Sequence, residues 1–329
     1  MKTIESFQKN LNTVNNENIN DFALKLFHFQ AQNNEIYRRY LNELNIDPIS
    51  IKSIHHIPFL PIEFFKQFTV KTGTWKPQVI FESSGTTGQI RSKHHVRQLA
   101  WYLKNAERIF NTFYGDLKDF HILALLPSYL ERNNSSLVAM TDHFIKKSGS
   151  EYSGFYLDEV DELYRKLLKL KDDKKKTILI GVTFALLDFC GEYPIDFKEL
   201  IVIETGGMKG RRKEMIRGEV HAQLKKGFSV EMVHSEYGMT ELLSQAYSFG
   251  DGKYVSPSSM RVILREINDP FQYKNDNKTG AINIIDLANI ETCAFIETKD
   301  LGLINQDGTF EILGRFDNSE LRGCNMMSI

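Results

Sequence analysis

Hydroxyls, glycines and cations are gathered in one stretch, Ser83-Ser84-Gly85-Thr86-Thr87-Gly88 followed by Gln89-Ile90-Arg91-Ser92-Lys93. Glycines allow positive φ and close backbone approach, Ser and Thr hydroxyls donate to phosphate oxygens, and Arg91 and Lys93 add charge. The chemistry on offer is the holding of a polyphosphate. The spacing is not that of a Walker loop, which needs Gly, four residues and then Gly-Lys-Ser/Thr; on composition alone the stretch also reads as a Gly-Thr turn. A second group is His234-Ser235-Glu236-Tyr237-Gly238-Met239-Thr240-Glu241. Tyr237 offers a flat face for a base, Thr240 a hydroxyl for phosphate and Glu241 a hard oxygen for Mg²⁺, which takes one or two carboxylates together with substrate phosphates. The competing readings are a capping box closing on Glu241 and a packed His234. Thr298-Lys299-Asp300-Leu301-Gly302 and Leu313-Gly314-Arg315-Phe316-Asp317, the latter running on to Arg322-Gly323-Cys324, each read singly as an ordinary turn.

These residues have to be placed by regular elements. Val79-Ile80-Phe81 is apolar and β-prone, and an amphipathic helix from Arg97 carries Leu99, Leu103, Ala106, Phe110 and Phe113 on one face. The first loop is therefore expected at a strand-to-helix turn, a favourable place for anions, with His121 to Pro127 closing a strand-helix-strand unit. The pattern continues through a helix over Leu137 to Ile145, a strand at Gly154 to Leu157, a helix through Leu163, Leu167 and Leu170, and a strand at Thr177 to Val182. A further helix leads to a strand at Leu200 to Glu204, and a basic helix from about Lys209 to Lys226 leads to one at Val230-Glu231-Met232-Val233. Such alternation implies an α/β fold with a mainly parallel, helix-covered sheet. It also places the second motif just past the last parallel strand, where open α/β sheets bind ligands.

Upstream, Asn20-Asp21 can cap a helix from Phe22 to Leu44, and Ile57 to Lys66, with two prolines in an apolar run, reads as a packed connector. Beyond Gln245 short β-like runs at Met260 to Leu264, Ala281 to Ile285 and Phe310 to Leu313 imply a smaller β-rich subdomain. The expected organisation is a helical N-terminal segment over 1–75 packed on the core, an α/β nucleotide-binding core over 76–244, and a β-rich subdomain with a C-terminal tail over 245–329.

The chain has 329 residues, enough for a sizeable core, and its 41 basic and 42 acidic residues nearly cancel. No global field recruits nucleic acid or an anionic membrane, so any anion is bound locally. Met1-Lys2-Thr3-Ile4-Glu5-Ser6 lacks the apolar core of a secretion signal and no later run is long and uncharged enough to span a bilayer, so a cytoplasmic location without stable membrane insertion is expected. Three cysteines, Cys190, Cys293 and Cys324, are too scattered for a disulfide framework or a zinc site. Cys190 and Cys293, in apolar surroundings, are expected to be packing residues.

Taken in order, the motifs resemble those of the adenylate-forming superfamily, whose members activate a carboxylic acid with ATP as an acyl-adenylate. The chain most resembles that superfamily's short branch, the LuxE-type acyl-protein synthetases, with phenylacetate-CoA ligases as nearer general relatives. The Ile57 to Lys66 connector, Glu204-Thr205-Gly206-Gly207-Met208-Lys209-Gly210 and Arg322-Gly323-Cys324 also look like that branch. The resemblance implies ATP and Mg²⁺ as cofactors. It implies that Ser83, Ser84, Gly85, Thr86, Thr87 and Gly88 hold phosphates, and that Gly206, Gly207, Tyr237 and Gly238 bound the adenine. Thr240 would touch phosphate, Glu241 would serve the metal, and Asp300 would accept the ribose hydroxyls, with Arg315 nearby on ribose or phosphate. One departure is that Gly88 is followed by Gln89-Ile90-Arg91 where the superfamily continues Gly-x-Pro-Lys, leaving Arg91 or Lys93 to take the lysine's place. Another is that the chain ends at Ile329, so the mobile C-terminal domain of longer relatives, which brings a catalytic lysine, is expected to be absent, with Lys209 as a possible substitute. In the acyl-protein branch a cysteine near the C-terminus receives the acyl group, and Cys324 occupies that place. The implied function is activation of a carboxylic acid, a fatty acid by this likeness, and its transfer to Cys324 as a thioester for an acyl-accepting reductase or carrier protein. Alternatives are an acyl-CoA or aryl-CoA ligase and a nucleotide-binding homologue without turnover.

Overall fold

The computed structural model describes residues 2–84, 90–126, 134–156, 159–206, 215–274 and 278–316. The chain divides into two compact units, one discontinuous, Met1–Thr74 with Ser258–Ile329, and one continuous, Trp75–Pro257.

In the continuous unit the strands lie in the order Lys253–Val255, Ala246–Ser248, His234–Tyr237, Ile201–Glu204, Lys176–Gly181, Phe120–Leu125, Gly154–Phe155. The five from Gly154–Phe155 to His234–Tyr237 pair in parallel, and the last two pairings are antiparallel. The α/β reading with a mainly parallel sheet therefore holds. Phe120–Leu125 is buried along its whole length, as expected for a strand covered on both faces. From it the chain steps to one side through Ser136–Ser148 to Gly154–Phe155. It then steps back to the other side through Val160–Leu170 to Lys176–Gly181, which makes a topological switch at this strand.

Two details differ from expectation. The Val79–Glu82 strand does not enter this sheet. It pairs antiparallel with Lys93–Val96, Phe81 opposite His94, in a separate two-stranded ribbon. The first loop thus joins two arms of a hairpin rather than a strand and a helix, and no strand-helix-strand unit begins at Val79. Alternation explains it: Phe81 and His94 are buried while Ile80 and His95 on the other face are only half-buried, and Phe81 packs edge-on against Tyr102 at 5.3 Å. The helix starts at Leu99, whose N–H is accepted by Gln78 Oε1 at 2.8 Å. Second, the last parallel strand is the polar His234–Tyr237 and not the apolar 230–233. Ser235 and Glu236 are both buried, Ser235 against Glu204 and His221, which hydropathy alone does not reveal.

In the discontinuous unit, Met260–Arg265, Gly280–Asp286, Phe295–Ile304 and Phe310–Arg315 form an antiparallel succession. The three apolar runs are strands as read, but Thr298 to Gly302 lies within the long strand Phe295–Ile304 rather than in a turn. Residues 1–74 do not form a segment of their own beside a serial core. Leu60–Pro61 within the connector pairs in parallel with Ile296 and Glu297, and Phe27 and Tyr37 pack on Phe295 with ring centroids 5.9 and 6.2 Å apart. The expected single helix from Phe22 to Leu44 is two, Ile19–Asn33 and Glu35–Glu43, because Asn34 leaves the helical conformation and its side chain caps the Tyr37 N–H at 3.0 Å.

Candidate active site

The sequence motifs of the continuous unit gather at the carboxyl ends of the parallel strands. Ile201–Glu204 ends in a buried carboxylate and is followed at once by Thr205 and Gly206. Glu204 Oε2 accepts from the Thr183 hydroxyl at 2.6 Å and from the Gly206 N–H at 2.9 Å. Glu204 Oε1 accepts from the Ser235 hydroxyl at 3.2 Å, with Arg217 Nε and His221 Nε2 each 3.9 Å away. Burial pushes this carboxyl up, but His221, the Thr183 hydroxyl, the Arg217 charge and the Gly206 N–H together hold it below the usual carboxylate range. By residue type Ser235, His221 and Glu204 could be a nucleophilic set. Their geometry is different: Ser235 donates directly to the carboxylate and His221 turns Nε2 toward both, so the imidazole does not bridge hydroxyl and acid through its two nitrogens. Ser235 is also fully buried. The arrangement is a clamp on the strand ends.

Gly206 has φ +73°, and nothing lies within 4 Å of where a Cβ would stand. Glycine is required there for its conformation rather than for space. Thr183 N–H donates to the Gly206 carbonyl at 3.3 Å, so both backbone polar groups of Gly206 are fixed.

The next strand end carries the second motif. Tyr237 is largely buried and meets Tyr254 edge-on at 5.8 Å, and Arg217 lies over the Tyr254 ring at 5.2 Å. Gly238 passes close over the Glu236 carboxyl, whose Oε1 would have to move aside for a Cβ there. Thr240 and Glu241 form a turn and not a helix start, which removes the capping-box alternative; Leu242 N–H closes the turn on the Met239 carbonyl at 3.1 Å. His234 is a packed residue. Its Nδ1 lies 3.1 Å from the Tyr114 hydroxyl, its ring lies beside Phe249, and burial lowers its pKa to about 4.

The hairpin joins this turn through a residue that sequence reading passed over. His94 is fully buried, and its Nδ1 donates to the Thr240 carbonyl at 2.7 Å. Burial lowers its pKa to about 4, so the neutral ring carries its single proton on Nδ1 in that bond. At the mouth of the hairpin the Ser83 N–H donates to the Ser92 carbonyl at 3.1 Å, and the Ser83 hydroxyl accepts from the Ser92 N–H at 3.0 Å. Ser83 therefore closes the loop base. Ser84 and Lys93 are exposed, and Arg91 lies 3.5 Å from Glu82. Gly85, Thr86, Thr87 and Gly88, together with Gly207, Lys209 and Cys324, lie outside the described residues.

In the discontinuous unit Asp300 and Arg315 are register partners across the Phe295–Ile304 and Phe310–Arg315 strands, with Arg315 Nε 3.1 Å from Asp300 Oδ1. Asp300 is buried at 5% exposure while the Arg315 side chain is 68% exposed. Cys190 and Cys293 are both buried and unbridged, and burial pushes the Cys293 thiol up to about 12, as suits packing residues.

No group of three or more His, Cys, Asp or Glu is placed to cage a metal among the described residues. A single buried carboxylate at Glu241 fits Mg²⁺ brought by a nucleotide, which keeps phosphate and water oxygens as its other ligands. Also among the described residues, no helix is long and apolar enough to cross a membrane.

Glu204, Thr183, Ser235 and His221 escaped sequence reading as a working group. The available signal was a carboxylate ending an apolar strand run directly before Thr-Gly-Gly.

The family model described as "Acyl-protein synthetase, LuxE" matches residues 9–328. No curated protein is matched by the sequence. Among solved structures, the chain is similar to 2-hydroxyisobutyryl-CoA ligase in complex with 2-HIB-AMP and CoA. There the TM-score is 0.67 and the identity 13%, over 92% of this chain and 69% of that one. Similarity extends to ATP-bound MatB from Rhodopseudomonas palustris, with TM-score 0.52 and 18% identity over 72% of this chain and 47% of that one. It extends also to a long-chain-fatty-acid-CoA ligase, FadD1, from Archaeoglobus fulgidus, with TM-score 0.52 and 16% identity over 72% and 51%. The chain thus spans about half the length of MatB. At these identities the likeness is one of fold, that of the large domain of adenylate-forming ligases.

Proposed function

Because the chain belongs to the LuxE acyl-protein synthetase family, we propose that it is an ATP- and Mg²⁺-dependent ligase that adenylates a carboxylic acid and passes the acyl group to a thiol. The family match across nearly the whole chain carries this reading. A fatty acid is the substrate we assign, and Cys324 the thiol.

In this reading residues 83–88 hold the ATP phosphates, Ser83 through its hydroxyl because its N–H is taken by the Ser92 carbonyl, with Arg91 and Lys93 as nearby cations and Lys209 as a third. Gly206, Gly207, Tyr237 and Gly238 bound the adenine, the Thr240 hydroxyl donates to phosphate, Asp300 accepts from the ribose hydroxyls, and Arg315 lies beside it. Mg²⁺ held through Glu241 would offset phosphate charge. The substrate carboxylate oxygen attacks the α-phosphorus and pyrophosphate leaves. The Cys324 thiolate then attacks the acyl carbonyl, forming the thioester as AMP leaves and the carbonyl re-forms. His94 contributes by tying the hairpin that bears the phosphate loop to the Thr240 turn at 2.7 Å.

Acid-dependent ATP–pyrophosphate exchange, screened over aliphatic and aromatic acids, tests adenylation, and failure with every acid overturns it. Cys324→Ser is expected to keep exchange and lose all covalent acyl label on the protein; retained label removes the role from Cys324. Likeness to a CoA ligase solved with CoA favours one second reading, in which free CoA is the acceptor. Release of acyl-CoA from an unlabelled protein decides for it.

A further inference from the structure

We propose that Glu204 is a positioning residue for nucleotide binding, acting by locking the Gly206 turn. This role rests on the functional reading above, in which Gly206 and Gly207 bound the adenine. Glu204 is buried and both its carboxylate oxygens are engaged by protein donors, so its effect passes through what it holds.

The donor set argues for a carboxylate at this position. Thr183 Oγ, Gly206 N and Ser235 Oγ all donate to it, and Arg217 and His221 stand close by. A carboxylate offers acceptors only, on both oxygens, and so answers donors arriving from both sides; an amide of the same shape would turn an NH₂ toward one of them. Apart from Gly206 itself, these groups come from three different elements: the first residue of Thr183–Glu192, the His234–Tyr237 strand and the Arg217–Phe228 helix. The carboxylate therefore ties Gly206 to the start of one helix and to the neighbouring strand end.

The turn it holds is one that glycine adopts readily and other residues rarely do, among several conformations open to a glycine. Gly206 is at φ +73° with an open face over its Cα, and it is kept there by Glu204 at its N–H and by Thr183 at its carbonyl. Thr205 N–H adds a bond to the Gly181 carbonyl at 3.0 Å. A peptide fixed in this way presents a set surface to a planar ligand, and the ordering cost is met on folding rather than on binding.

The test compares Glu204→Gln, Thr183→Val and Thr183→Ser with the unaltered full-length chain. ATP affinity is measured by calorimetry, KM for the acid by pyrophosphate exchange and folding by thermal melting. Loss of one charge-assisted set is expected to weaken ATP binding about tenfold in Glu204→Gln and about threefold in Thr183→Val. Thr183→Ser restores affinity because it keeps the hydroxyl, and KM for the acid stays within about twofold throughout. If Glu204→Gln does not fold, the Thr183 pair carries the test, since it leaves the carboxylate in place. Unchanged ATP affinity in the folded variants, or an equal rise in KM for ATP and acid, overturns the positioning role alone. Absence of ATP binding by the unaltered protein overturns the functional reading and this role with it.

Discussion

Glu204 and Glu236 lie on neighbouring strands at the same end of the parallel sheet and are kept in opposite states by their surroundings. Glu204 collects donors and stays ionised. Glu236 faces Tyr247 across the antiparallel pair, and burial together with the Glu204 charge pushes its pKa up to about 8. Against the ordinary value of 4.5, the folded chain keeps this proton where the unfolded chain releases it. Stability from this group is thus fully present below pH 4.5 and lost as pH rises toward about 8, at a limiting slope of roughly 1.4 kcal/mol per pH unit. Glu236→Gln, which is neutral throughout, is expected to flatten that slope and to raise stability at pH 8 by roughly 1 to 3 kcal/mol. Urea unfolding at pH 5 and pH 8 measures it, and parallel pH dependences in the two proteins would dismiss the explanation.

At the scale of elements, the ribbon formed by Val79–Glu82 and Lys93–Val96 carries the loop that sequence singles out, and one histidine fastens it to the Thr240 turn. His94→Ala removes the donor to the Thr240 carbonyl and leaves a cavity, with an expected cost of about 1 to 3 kcal/mol at pH 7. His94→Asn, which keeps a donor near the same place, should cost less. Titration has a defined sign here as well. The folded pKa of about 4 lies below the ordinary 6.5, so the contribution is present above pH 6.5 and is lost as pH falls through about 4. His94→Asn should therefore lose less stability than the unaltered chain on acidification from pH 6.5 to pH 4; an identical acid profile would show that the ring is not held neutral by the fold. His234, lowered to about 4 as well, is present in both proteins and adds the same acid sensitivity to each.

For the whole molecule the long-range links matter most, because one unit is assembled from both ends of the chain. Gln30 is an example: its Nε2 donates to the Asn289 and Ile290 carbonyls at 2.8 and 3.1 Å, and its Oε1 accepts from the Ala294 N–H at 2.9 Å. Truncation strips buried backbone groups of their partners, so Gln30→Ala is expected to lower unfolding free energy by about 2 to 4 kcal/mol, measured by urea denaturation. A loss below about 0.5 kcal/mol would mean that this connection is dispensable.

How much was legible follows from the same residues. Apolar runs such as Phe120–Leu125 and Ile201–Glu204 announce buried parallel strands, and their alternation with amphipathic helices fixes the α/β class, because periodicity is set by local geometry. The order of the Ser83, Tyr237 and Asp300 segments sufficed to place the chain in its family. Pairing was not legible. The Val79 strand looks locally like any other, and only its partner at Lys93–Val96 takes it out of the main sheet. The polar strand His234–Tyr237 hides from hydropathy because Ser235 and His234 find their partners, Glu204 and Tyr114, far off in sequence. Sequence by itself determined the periodic elements, the glycines at turns and the chemical types available. Tertiary structure decided that Glu204 serves as a clamp, that His94 serves as a latch and that residues 1–74 fold with the strands after Ser258. Burial, desolvation and long-range hydrogen bonding belong to no residue until its neighbours are in place.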